Sequence, residues 1–352
     1  MKVKDLDDAK VFQCCHEFLG KPGRPSPTEV ARILTREWGL KVDVKHTDIY
    51  PIVAEGVSRD LVRLQARPSA RCTEELVRRF GHAKESIHVL AARGESAIPA
   101  VADAAADHIL KLILRLGDSK QRVHIGFVGG RTVMAVAHKL AANMRRAERL
   151  PKLALHAVCS GFDALHPETA PISFFGYFKD VPADVEYVGL FAPPVVDAKD
   201  YERVKNGRGV VESFRKAEEI HLVVTSLSAA ADRHGPLKDL QDVSEVRLGG
   251  LHSAVGDVSY CPYSNEGPIL LDSGPRAMTL FQISDLVELA ARRDKHVVLV
   301  ASPCPAPDCG RLRADALLPL LANPKLKLWS SLFLDEETAE RVAKARATDP
   351  DA

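Results

Sequence analysis

From residue 72 onward, short apolar runs alternate with amphipathic stretches, and this alternation constrains the fold more than any other feature of the chain. It predicts strands at Ile87–Ala91, Val123–Val128, Ala154–Val158, Tyr187–Phe191, His221–Leu227, Val297–Ala301 and Leu328–Leu334. Helical patterns lie between several of them, at Ile98–Leu116, Thr132–Arg146 and Ser284–Arg293. Alternation of this kind predicts a mostly parallel sheet covered on both faces, a Rossmann-like α/β/α domain. Ligands in such folds sit beyond the carboxyl ends of the strands, where the strand order switches.

The first 70 residues read differently. Leu6, Ala9, Val11, Phe12, Cys15, Phe18 and Leu19 recur near helical spacing. Ser26-Pro27-Thr28-Glu29 is a helix start, with Ser as N-cap, Pro at the first helical position and Glu at the third. A third helix is expected from about Thr47, which caps it, with Pro51 in its first turn and Ile49, Ile52, Val53 and Val57 facing inward. Leu61-Val-Arg-Leu then alternates like a short strand. Three helices and a terminal strand outline a winged helix-turn-helix. Residues 21–71 carry ten Lys/Arg against six Asp/Glu, an excess that suits phosphate contacts and equally suits an ordinary solvated face.

The chain as a whole has no such bias. Its 352 residues hold 48 Lys+Arg and 47 Asp+Glu, a net charge of +1 that removes any whole-protein case for a polyanion partner. The length predicts two domains, placed at 1–70 and 71–345, with a frayed tail over 346–352. The start has no apolar leader, no run approaches the 18 or so residues needed to span a bilayer, and the seven cysteines form no framework. The expectation is a cytoplasmic protein with reduced thiols.

Few segments carry chemistry. The strand Val123–Val128 runs into Gly129-Gly130, and Arg131-Thr132 opens a helix. Two glycines admit an anion close to the backbone, the helix start favours negative charge, and Arg131 and Thr132 add donors. The same residues also make a plain strand-to-helix turn. Asp257, after a glycine, is placed either to accept hydrogen bonds from ligand hydroxyls or to fix a turn. Cys304 and Cys309 have no second Cys/His pair beside them, so no metal is assigned. No HExxH, GxSxG, GxGxxG or Walker motif occurs, and no catalytic residue or cofactor is assigned.

The ordered set Thr73-Glu-Glu-Leu-Val-Arg-Arg-Phe-Gly, Ile125-Gly-Phe-Val-Gly-Gly-Arg-Thr-Val, Ala254-Val-Gly-Asp, Val297-Val-Leu-Val-Ala and Leu334-Asp-Glu-Glu-Thr-Ala-Glu-Arg-Val resembles the SorC family of bacterial transcriptional regulators, within the DeoR-like group. The resemblance spans about 72–345. It implies an effector domain similar to sugar-phosphate isomerases that binds a sugar or sugar phosphate without turnover. It also implies an N-terminal module on operator DNA and a homodimer or homotetramer. The family's phosphate loop falls on Gly129, Gly130, Arg131 and Thr132, and its sugar-contacting element on Asp257. Where the family has a glycine pair and a phosphate-contacting lysine, this chain has Ser302-Pro303 and a proline-rich loop, leaving Arg311 and Arg313 as the nearby cations. On DNA, Lys45, His46, Thr47 and Tyr50 would lie nearest the bases. The rival readings are an isomerase-like enzyme using Asp257 or Asp163, and a protein-docking module.

Overall fold

The computed structural model describes residues 3–345 apart from 24, 40–42, 60, 64, 162, 233–234, 236–250, 270–274 and 307–308. It divides the chain into two compact units, Met1–Gln65 and Ala66–Ala352. The tail expected to fray, 346–352, lies outside the described residues.

The first unit is built on helices α1 (Asp8–Cys15), α2 (Pro27–Trp38) and α3 (His46–Ser58). Val11, Cys14 and Cys15 of α1, Val30, Ala31 and Leu34 of α2, and Ile49 and Ile52 of α3 form one buried cluster. A Cβ at Gly56 would stand 2.4 Å from the Cys15 sulfur, so glycine is what lets α3 approach α1. Ser26 caps α2 in a full capping box: its N–H donates to the Glu29 carboxylate, and its hydroxyl accepts from Glu29 N–H. Arg59 ties the unit's ends together, donating to the Leu6 carbonyl at 2.7 Å and to Asp8 at 3.0 Å.

Two expectations here are corrected. Helix α3 starts at His46, one residue before the expected Thr47 cap, because the Asp48 carboxylate accepts from Lys45 N–H at 2.9 Å and makes Lys45 the capping position. Pro51 therefore lies inside the helix, beyond its first turn. The strand expected over Leu61–Leu64 does not form among the described residues, since Leu61 and Val62 turn their N–H groups back to the Gly56 carbonyl. Leu64 itself is outside the described residues.

The second unit is a three-layer α/β/α domain. Its main sheet contains β1 (Ile87–Leu90), β2 (Val123–Phe127), β3 (Leu153–Ala157), β4 (Val185–Val188), β6 (Leu222–Ala229), β11 (His296–Ala301) and β12 (Ser331–Asp335). β5 (Val195–Asp197) and β10 (Pro275–Ala277) form a separate antiparallel pair. The main order is β1-β12-β11-β6-β2-β3-β4, and every neighbouring pair on that path is parallel. The short strands β7 (Gly256–Val258), β8 (Cys261–Ser264) and β9 (Gly267–Pro268) add antiparallel at the end of β6.

Strands buried on both faces explain the unbroken apolar runs. Three long helices precede and follow β1 and β2: α4 (Ala70–Phe80), α5 (Ala97–Gly117) and α6 (Arg131–Met144). Successive residues alternate between two cores. Val298 and Val300 pack with α5 and α6 through Ile109, Ile113, Val136 and Leu140. Val297 and Leu299 pack on the opposite face with Leu76, Leu286, Leu317 and Val342. No helix among the described residues is long and apolar enough to cross a membrane.

Candidate functional site

Strand β2 is the point at which the sheet changes direction. The chain goes from β2 to β3 and β4 on one side, and later returns to place β6 on the other. A cleft opens there, beyond the carboxyl ends of β2, β6 and β11. It is lined by the Val128–Thr132 loop, by Ser226 and Ser228 of β6, by Asp257 and Tyr260, and by Cys304 and Arg313. Asp163 and Thr169 also line it.

The two glycines have different reasons to be there. Gly130 has φ +114°, a conformation L side chains rarely adopt. A Cβ on Gly129 would lie 2.9 Å from the Tyr260 hydroxyl and 3.2 Å from the Thr169 carbonyl. Their N–H groups are already engaged, Gly129 donating to the Cys159 sulfur at 3.3 Å and Gly130 to the Thr169 carbonyl at 2.9 Å. Free backbone donors at this turn are therefore left to the following residues. Met134 N–H, bonded to the Gly130 carbonyl, is the first bond of α6, and no side chain caps the helix. The N–H groups of its first turn thus face the cleft end with the favourable pole of the helix dipole.

Charged groups surround that helix start. Arg131 lies 3.9 Å from the Asp163 carboxylate with one-fifth of its side chain exposed. Thr132 shares a hydrogen bond of 3.2 Å with Ser302 across the mouth of β11. Arg313 is buried and donates to Asp232 at 3.0 Å. Asp257 is 3% exposed and hydrogen-bonds Ser228, its register partner on β6. Burial drives its carboxyl up to about 7, against the Ser228 hydroxyl and the Arg313 charge, which hold it down.

Asp257 is presented by a tight hairpin whose two corner residues, Ser259 and Tyr260, have φ +55° and +65°. Both central residues are left-handed, as in the turns usually made by Asn-Gly. Below it, a Cβ on Gly256 would meet the Ser228 carbonyl and the Tyr263 hydroxyl at 2.6 Å each.

Of the effector-site residues read from sequence, Gly129, Gly130, Arg131, Thr132, Asp257 and Arg313 come together in this cleft, and Asp163 joins them. Arg311 does not: its side chain is exposed and it does not line the cleft. Ser226, Ser228 and Tyr260 were missed. The two serines sit two apart at the end of an apolar strand, a period-2 signal for one shared face. Tyr260 has no comparable local signal.

Within the first unit, Lys45, His46 and Thr47 are exposed and line an open groove with Thr28, Arg32 and Arg36 of α2. Tyr50 is exposed beyond that groove, its ring edge-on to Phe18. Arg32 and Arg36, four apart on the face opposite Val30 and Leu34, were legible as a basic ridge and were passed over.

No family model and no curated protein matches the sequence. Solved structures do. The full-length sorbitol operon regulator SorC from Klebsiella pneumoniae is similar with a TM-score of 0.61 at 15% identity, over 97% of this chain and 100% of that one. A DeoR family transcriptional regulator from Listeria monocytogenes follows at 0.56 and 16%, over 77% and 98%. A transcriptional regulator from Streptococcus pneumoniae stands at 0.58 and 12%, over 77% and 94%. The resemblance read from the Ile125–Val133 segment and its ordered companions is borne out in architecture: the chain has the fold of the SorC and DeoR-type regulators.

Proposed function

We propose that this chain is an effector-responsive transcriptional regulator, a cytoplasmic homodimer or homotetramer that binds operator DNA and a sugar or sugar phosphate without turning it over. The observation that carries this reading is the likeness to a full-length sugar-operon regulator over both units, 97% of this chain, combined with a cleft at the sheet's switch point. Arg131 and the start of α6 take the anionic group. Asp257 accepts sugar hydroxyls when ionised and donates to one when protonated. Effector binding biases the assembly between DNA-competent and incompetent arrangements by its difference in affinity for the two.

Thermal unfolding against a panel of phosphorylated and free sugars tests the sensor. One compound at a hundred times its dissociation constant should add about 2.7 kcal/mol of stability. With that compound in hand, Arg131→Ala should weaken binding by roughly 1.5–3 kcal/mol through loss of a charge-assisted donor. An unchanged dissociation constant in isothermal titration would remove Arg131 from the site.

The DNA arm is tested separately. Lys45→Ala should lower affinity about equally for all DNA sequences and reduce the slope of log affinity against log salt by about 1. An unaltered slope would take Lys45 off the phosphate backbone.

A second reading, an isomerase-like enzyme on the same scaffold, draws on Asp257, whose proton affinity near neutrality suits a general base. Product formed from a sugar phosphate, and abolished in Asp257→Asn, would select it. Binding without product selects the sensor.

A further inference from the structure

The loop after β11 places two thiols beside a carboxylate from a distant segment. The sulfurs of Cys304 and Cys309 and a carboxylate oxygen of Asp232 all lie within 4.8 Å of one another. Asp232 follows β6, and the fold brings it 72 residues back to meet the cysteines, which is why spacing in the sequence showed no ligand set. The loop is held at its neck, where Cys304 N–H donates to the Arg311 carbonyl at 2.8 Å, and it carries Pro303 and Pro305 on either side of Cys304.

Asp232 itself is 2% exposed. Its Oδ2 accepts from Arg313 at 3.0 Å, and its Oδ1 is buried with no hydrogen-bond partner among the described residues. A buried carboxylate oxygen without a donor is costly, and the carboxylate that carries it sits in the same cluster as two sulfurs. Tetrahedral zinc with metal–sulfur bonds of about 2.3 Å separates its sulfur ligands by about 3.8 Å, within the span of this cluster. Charge also balances: two thiolates and one carboxylate carry three negative charges, matched by a divalent cation and Arg313.

We propose that Cys304, Cys309 and Asp232 bind a zinc ion, with the fourth coordination position opening toward the cleft that Cys304 lines. The ion takes the place of two thiol protons, which pass to solvent on binding, so affinity falls as pH falls. A ligand oxygen or a water completes the tetrahedron. The site is independent of which effector the cleft takes.

A second thiol–carboxylate cluster, Cys72 with Glu336 and Glu340, supplies an internal control. Both its glutamates pair with Arg71 and Arg93, and among the described residues neither has a buried oxygen without a partner, as Asp232 does.

Cobalt(II) titration of the reduced, metal-free, full-length chain tests the proposal. One cobalt per chain should bind, with thiolate-to-cobalt charge-transfer absorption, intense visible bands of tetrahedral geometry, and bleaching by added zinc. Cys309→Ser should abolish the two-thiolate spectrum. Asp232→Asn should keep charge transfer and weaken binding more than about tenfold, and Cys72→Ser should change nothing. The proposal is overturned by the absence of a charge-transfer band in the wild-type chain, by its persistence at full intensity in Cys309→Ser, or by its loss in Cys72→Ser. Circular dichroism checks folding. Cys304→Ser serves as a second variant, and the wild-type spectrum decides without either.

Discussion

Arg313→Met should destabilise the second unit by about 3–5 kcal/mol, the effect of stranding one member of a buried ion pair. Arg313 and Asp232 have side chains only 9% and 1% exposed, and they meet at 3.0 Å. Removing the guanidinium leaves a carboxylate in a space that also excludes water from its second oxygen. The double variant Arg313→Met/Asp232→Leu should recover most of the loss, because exchanging a whole buried pair for apolar groups of similar size is often neutral. Urea unfolding with a chelator present measures both without metal linkage. A single-variant loss below about 1 kcal/mol would mean the pair is effectively solvated. The same substitution removes a cation from the cleft, so effector affinity and stability should fall together in the single variant. Only stability should return in the double.

Asp257→Asn should stabilise the protein above neutral pH, by an amount that vanishes in acid. Burial holds the Asp257 carboxyl up to about 7 in the folded chain, whereas unfolding returns it to the ordinary range near 4. The folded state therefore binds the proton more tightly. Its contribution is fully present below about pH 4 and is lost as pH rises through 7. The difference is three units at 1.36 kcal/mol each, on the order of 4 kcal/mol at pH 8. An amide stands in for the protonated acid, so wild type and variant should agree near pH 4 and diverge toward pH 8. Buried histidines act in the opposite sense. His156, lowered to about 3, and His108 and His221, lowered to about 4, each by burial, take stability away as pH falls from 6.5 toward those values. That acid limb is common to both proteins and cancels in the difference. A pH-independent difference would place Asp257 in a solvated environment.

The parallel sheet was readable because its strands are sandwiched: Val297–Ala301 is buried at every position, and the observed strand starts one residue earlier. The helices facing it were equally plain, with α5 within a residue of its expected ends. The strand expected at Leu61–Leu64 had the right alternation, but a strand also needs a neighbour to pair with, and no partner strand is seen among the described residues, which local sequence does not record. Gly129 and Gly130 were recognised as a loop. Their amides, however, are taken by Cys159 and Thr169, 30 and 39 residues onward, and no short-range pattern announces such bonds. The hairpin that carries Asp257 lacks Asn-Gly at its corner and uses Ser259 and Tyr260 instead, so the usual turn signal is silent. The Asp232–Arg313 pair joins residues 81 apart and emerges only when β6 and β11 lie side by side.

The pairing of β1 with β12 has a consequence in time. Ile87 through Leu90 run alongside Leu332 through Asp335, so the edge of the sheet waits for a segment synthesised long after it. The cleft is walled by residues from Val128 to Arg313 and inherits the same delay. The N-terminal helices, with their core complete by Ile52, need none of it. Domains fold as units, N-terminal first, during synthesis. A growing chain thus holds a finished three-helix head long before the walls of the cleft have all been made.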